Sequence, residues 1–249
     1  MTEKEGLPRA DTEAGSVEES AAKSGPKRSL SWHDLVLTLA GIIVFYALVV
    51  VGTVWLIKRW PNETAVLYLN AFLTQAGFGL LILIIIKVRG WSWADLGWRR
   101  TSLRGVWGSV FRLYALTWVI NILYVFFLYQ HNLTPPDNDV YSKLLENPTM
   151  WTFVLNIILT VTLAPVVEET LFRGLVFSSL RSYLGKWTAA GISAAVFSGL
   201  HFQAYGFLPR FVLGLMLAHL YEKNRSIYPA IMLHALNNLV ATTLMLVAT

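Results

Sequence analysis

The feature that most constrains this chain is a charged cluster inside an apolar run. Between Trp151 and Leu180 the sequence is almost wholly apolar, yet it holds Glu168, Glu169 and Arg173 in the stretch Leu-Ala-Pro-Val-Val-Glu-Glu-Thr-Leu-Phe-Arg-Gly. The run is long enough to enter a bilayer, and each charge near the centre of a membrane helix costs about 2.5–3.5 kcal/mol on insertion scales. Charges in such a position are functional candidates. Composition agrees with the membrane reading: 55% of the 249 residues are apolar, 13% are aromatic and ten are tryptophan, against about 45–50% apolar in soluble domains. The alternating ten-residue strands of a membrane barrel are absent. The chain has no cysteine, which excludes disulfides, thiolate metal sites and cysteine nucleophiles. No basic-aromatic interleaving points to nucleic acid.

The expected fold is all-α, a polytopic transmembrane bundle. Residues 1–33 are polar and carry both signs of charge, so they read as a disordered tail; no apolar signal region follows the start. Residues 34–249 form the transmembrane domain. Apolar segments fall at about 35–57, 66–88, 105–129, 150–180, 188–203, 207–222 and 228–248. The segment 150–180 exceeds one straight span, and Pro165 lacks a backbone donor and can kink it. Seven helices result, or eight if that segment divides. The loop 87–104 carries Lys87, Arg89, Arg99, Arg100 and Arg104 against Asp95, while the loop 130–149 carries Asp137, Asp139 and Glu146 against Lys143. The positive-inside rule then puts the first loop and the N-terminus in the cytoplasm and, with seven spans, the C-terminus outside. Lys58, Arg59 and Arg210 dissent. Residues 90–104 read equally as an amphipathic segment on the inner surface or as a basic loop with interfacial tryptophans.

Three polar pairs recur at helical spacing. Glu169 and Arg173 are i and i+4 and can neutralise each other, while Glu168 lies about 100° round the helix and is left to face a cavity. Phe197 and His201 share a face, as do His234 and Asn238. A buried Glu with an imidazole nearby suits a general base; an imidazole and a carboxamide one turn apart can grip an oxyanion. Each pair alone is equally a packing or interhelical hydrogen-bonding device. Three together, on successive helices, favour a site. Asn237 should face elsewhere as a helix clasp, and Gln75, Asn70, Asn121 and Asn156 read as interhelical hydrogen-bonders without a role in the site.

Glu-Glu-x-x-x-Arg at 168–173, Phe-x-x-x-His at 197–201 and His-x-x-x-Asn at 234–238, in that order, resemble the three motifs of the CAAX-protease and bacteriocin-processing (CPBP, or Abi) family of intramembrane proteases, related to the type II CAAX prenyl endopeptidase. The resemblance covers a core at 150–248. It implies an integral membrane endopeptidase in which Glu168, helped by His201, activates water, His234 and Asn238 hold the oxyanion, and Glu169, Arg173 and Phe197 support the site. Its partners would be membrane lipid and a peptide or protein substrate at the bilayer, prenylated or not. Glu168, His201 and His234 could also complete a zinc sphere of His₂Glu type, but His-Glu-x-x-His is absent and a metal-free glutamate mechanism uses all four residues. No cofactor is therefore expected, with zinc as the alternative. The rival functions are a non-enzymatic scaffold or immunity protein of the same fold, and a proton-coupled transporter using Glu168 and His201 as a relay. The expected water entrance is on the cytoplasmic side, because Arg173, Arg181 and Lys186 run that way.

Overall fold

The computed structural model describes residues 29–60, 62–133 and 149–248. Over these the chain is entirely helical: α1 (Trp32–Ile57), α2 (Glu63–Arg89), a 3₁₀ turn (Trp93–Leu96), α3 (Leu103–Gln130), α4 (Met150–Tyr183), α5 (Lys186–Gly199), α6 (Ala204–Asn224) and α7 (Tyr228–Ala248). Five of them are long and apolar enough to cross a membrane, namely α1, α2, α3 from Arg104, α4 and α6. The protein is an integral membrane helical bundle. Most of the tail and the acidic loop residues Lys143, Asp137, Asp139 and Glu146 lie outside the described residues. The end of the expected tail is ordered: Leu30 is buried, receives the Tyr183 hydroxyl on its carbonyl and donates its N–H to Ser179 Oγ.

The long segment after residue 150 is one helix of 34 residues and not two. It absorbs Pro165 by unwinding instead of breaking. Ile157–Leu163 and Thr170–Phe177 are wound as π-helix around an α-helical Ala164–Glu169. Such wide turns tend to occur at functional positions. In the first of them the Ala164 N–H reaches back five residues to the Leu159 carbonyl. The Thr160 carbonyl therefore loses Ala164, its α-helical partner, and its wide-turn partner would be the N–H that Pro165 does not have.

α5 and α6 form the tightest contact in the core. Small residues allow it: Ala189, Ala190, Ser193 and Ala194 face Gly214 and Ala218, and all but Gly214 are at most 2% exposed. A Cβ on Gly214 would lie 2.8 Å from the Ala194 Cβ. Close approach of backbones through small residues is a principal way helices associate in lipid, where apolar side chains gain little by leaving one apolar medium for another. α5 has only 14 residues, about 21 Å at 1.5 Å per residue. It is shorter than its neighbours, and beyond its end lie the cavities beside Leu200, His201 and Gln203.

The basic loop between α2 and α3 keeps Trp93, Arg99, Arg100 and Arg104 exposed but is anchored at its centre. Its 3₁₀ turn is tucked into one end of the bundle, where Leu96 is fully buried, Gly97 adopts φ +90° and its carbonyl accepts the Ile227 N–H at 2.8 Å. The Arg99 carbonyl accepts the Ser226 hydroxyl at 2.7 Å. Around it the helix ends are bound by ion pairs, Arg89 with Asp34, and Arg181 and Arg225 with Glu222. The Leu96 carbonyl would meet a Cβ on Gly174 at 2.6 Å. Gly174→Ala is therefore expected to destabilise the detergent-solubilised protein by about 1–3 kcal/mol, the usual cost of overpacking, read as a lowered thermal midpoint; Gly191→Ala, which meets no atom within 4 Å, should leave it unchanged.

Candidate functional site

Glu169 and Arg173 are both fully buried, and Arg173 Nη1 donates to Glu169 Oε1 at 2.8 Å. This is the i, i+4 geometry of one helical turn. Arg173 Nη2 reaches across to the Gly214 carbonyl at 3.1 Å, and the guanidinium lies 4.7 Å from the centre of the Phe197 ring. Glu169 Oε1 also meets His234 Nδ1 at 2.8 Å. One carboxylate oxygen thus ties α4 to α7, while its arginine ties α4 to α5 and α6.

Those contacts fix the histidines. A carboxylate paired with Arg173 accepts, so His234 Nδ1 carries the hydrogen, and Nε2 points toward Glu168 with 4.0 Å to Oε2. That separation is too long for a hydrogen bond and leaves room for a reacting group. His201 Nδ1 faces the Phe197 carbonyl at 2.9 Å; a carbonyl can only accept, so this imidazole too is turned with Nε2 free of that contact. Phe197, 1% exposed, sits between them with ring centres 5.2 Å from His201 and 5.6 Å from His234. It spaces the two imidazoles.

Glu168 faces away from the Glu169–Arg173 pair. Gln75 Nε2 of α2 donates to its Oε1 at 2.8 Å. Glu168 and His201 border two cavities. One, of about 400 Å³, runs between α1 and α2 past Tyr46, Thr53, Asn70 and Gln75. The other, of about 280 Å³, lies against α6 and α7 and is lined by Arg210, His234, Asn237, Asn238 and Thr242. Both extend toward the ends of α1 and α7 and the starts of α2, α4 and α6. That is opposite the basic end, so the expected entrance beside Arg181 and Lys186 is not where the space lies. The reason is packing: toward the basic end the interior is filled by Leu96 of the 3₁₀ turn with Leu171, Leu175 and Val176, all fully buried, whereas α5 stops short at the other.

His234 and Asn238 do share a helix face, but not as two free donors. Asn238 Nδ2 donates to the Thr160 carbonyl at 2.8 Å, the group left without a backbone partner by Pro165. A carboxamide has two N–H bonds, and the second is available to the cavity. Asn237 does not face elsewhere: it lines the same cavity and its Nδ2 lies 3.4 Å from Asn238 Oδ1. Among the described residues no group of three or more His, Asp or Glu side chains is found at metal-binding spacing. His219 stacks on Trp187 away from the site. Three contributors were not assigned to the site from sequence: Gln75, Arg210 and Asn237. The one available signal for Gln75 was its place in a polar row with Asn70 and Thr74 on an otherwise apolar helix.

Residues 150–240 match the family model described as type II CAAX prenyl endopeptidase Rce1-like. Neither the curated proteins nor the solved structures give a match.

Loss of Asn238 should strand the Thr160 carbonyl. Asn238→Ala is expected to destabilise the protein by about 1 kcal/mol, the usual net worth of a hydrogen bond, because Thr160 borders the cavities and is only partly buried. Adding Pro165→Ala, which restores a backbone N–H, should recover part of it. Equal thermal midpoints for Asn238→Ala and wild type would contradict the assignment.

Proposed function

We propose that this chain, residues 150–240 of which match the Rce1-like family model, is a CAAX-protease (CPBP) family intramembrane endopeptidase that cleaves membrane-associated peptides, CAAX-type substrates among them, with water activated by Glu168 and His201. The observation that carries this reading is the division between the two adjacent glutamates. Glu169 is fully buried and committed to Arg173 and His234, while Glu168 borders both cavities with one oxygen held by Gln75.

The chemistry then uses groups in place. Water between Glu168 and His201 loses a proton to the Glu168 carboxylate as its oxygen adds to the substrate carbonyl carbon, the role of a general base. The carbonyl π pair moves onto oxygen. His234, whose Nδ1–H is held by the Glu169–Arg173 pair, presents Nε2 to that oxygen and donates when it is protonated. The spare Asn238 N–H is the second donor, the arrangement that stabilises developing negative charge. Collapse breaks the C–N bond, and the proton on Glu168 passes to the leaving amine. Phe197 holds the spacing of the imidazoles. Each step uses only side chains of this chain and water.

The test is cleavage of farnesylated and unmodified peptides by purified protein in liposomes. Glu168→Ala and His201→Ala are each expected to lower kcat/KM at least 100-fold, within the 10²–10⁴ range of general acid–base catalysis, with folding intact. A strong zinc chelator should leave wild-type cleavage unchanged. Loss on chelation with recovery on zinc addition would make the metal mechanism correct, and full activity of Glu168→Ala would remove the enzyme assignment from this site.

A further inference from the structure

Two cavities meet at Glu168, and they differ in kind. The one against α6 and α7 gathers Arg210, His234, both asparagines and two threonines among apolar neighbours such as Leu159 and Leu213, and is the more polar of the two. The one between α1 and α2 is a cleft with alternating character: Val50, Val54 and Leu67 alternate with Thr53, Asn70 and Gln75. We propose that this cleft holds an extended stretch of the polypeptide substrate, reached between α1 and α2, with Gln75 accepting a substrate N–H beside Glu168. The proposal rests on the hydrolytic reading above and adds where the substrate lies and which residue receives it.

Shape is the first argument. The α1 wall runs from Tyr46 to Ile57, about 16 Å at 1.5 Å per residue. A peptide at about 3.3 Å per residue would place roughly five residues along it. A peptide bond must be unwound to expose its carbonyl to attack. Unwound backbone at membrane depth is tolerated only where protein or water satisfies its polar groups. The hydroxyls and amides of the cleft provide for that.

Gln75 supplies the second argument. It is 8% exposed; its Nε2 is committed to Glu168, and its Oε1 is buried with no partner among the described residues. A buried acceptor left unpaired costs about 1–3 kcal/mol. A substrate N–H would satisfy it while setting the adjoining peptide carbonyl beside Glu168. The third argument is the wall itself. α1 packs chiefly on α2. Its polar attachments away from the cleft are at the basic end, through Leu30 with Ser179 and Tyr183 and Arg89 with Asp34, and Tyr46 stacks on Phe202 at the inner end of the cleft. Alongside the cleft, Thr53 and Asn70 join the two helices by one hydrogen bond of 2.6 Å.

Site-specific photocross-linking tests this without requiring turnover. Benzoylphenylalanine is placed at Val54 in the cleft, at Thr242 in the more polar cavity, or at Leu83 in the apolar groove between α2 and α4. Each is made in full-length Glu168→Gln protein in liposomes and irradiated with a biotinylated, farnesylated peptide ending in a CAAX sequence, and with its unmodified counterpart. Labelling from position 54 is expected to exceed that from 83 and 242 at least tenfold with either peptide, and Gln75→Met should reduce it at least fivefold. Stronger labelling from 83 or 242, or none from any position, would overturn the cleft; labelling unaffected by Gln75→Met would overturn the role of Gln75. Cleavage of the same peptides by wild type separates the two readings. Labelling at 54 without cleavage sinks the hydrolytic reading alone, and cleavage without labelling at 54 sinks the cleft alone.

Discussion

The structure depends on one buried carboxylate oxygen. Glu169 Oε1 receives Arg173 and His234 together, and Arg173 passes the connection to the Gly214 carbonyl and the face of Phe197. Two unlike charges are thereby placed at the centre of a membrane bundle with no net charge between them. Removing one partner of such a pair strands the other, and the loss far exceeds the net stability the pair contributes. Four helices meet at this point, so the positions of Glu168, His201 and His234 follow from it. Because Glu169 is spent on neutralising Arg173, its neighbour can face the cavities.

The second dependency is on α4. A straight α-helix of 34 residues would place Pro165 in its middle with a missing donor and a ring clash, a cost of about 3 kcal/mol or more. Two π-wound stretches spread that defect over the helix, and Asn238 of α7 takes the carbonyl left over. The same amide therefore serves the backbone with one N–H and faces the cavity with the other. Structural and chemical duties are joined in one side chain, and stability measurements and activity measurements on it will not separate without the companion change at Pro165.

Much of this was legible in the sequence. The apolar segments mark all seven described helices to within a few residues, and the i, i+4 spacing of Glu169 with Arg173 pointed to their pairing because both partners sit on one helix, where geometry is fixed by the helical period. What escaped depends on contacts between helices. Gln75 looks like any polar residue in a membrane span until α2 is set against α4. The direction of the cavities could not be read from the charges, since it follows from α5 ending after 14 residues while the basic end is filled by a tucked 3₁₀ turn. Asn237 points into the site because α7 offers both asparagines toward α4, which periodicity alone assigns to different faces.

Charge neutralisation within the Glu169–Arg173 pair is what holds the site together. Thermal unfolding in detergent of Arg173→Met and of Glu169→Gln/Arg173→Met tests it most directly. Arg173→Met should lose about 3–5 kcal/mol, the cost of an uncompensated buried charge, and the double variant, which keeps an acceptor for His234 but no net charge, should regain most of it. An Arg173→Met protein as stable as wild type, or a double variant no more stable than the single one, would contradict the account.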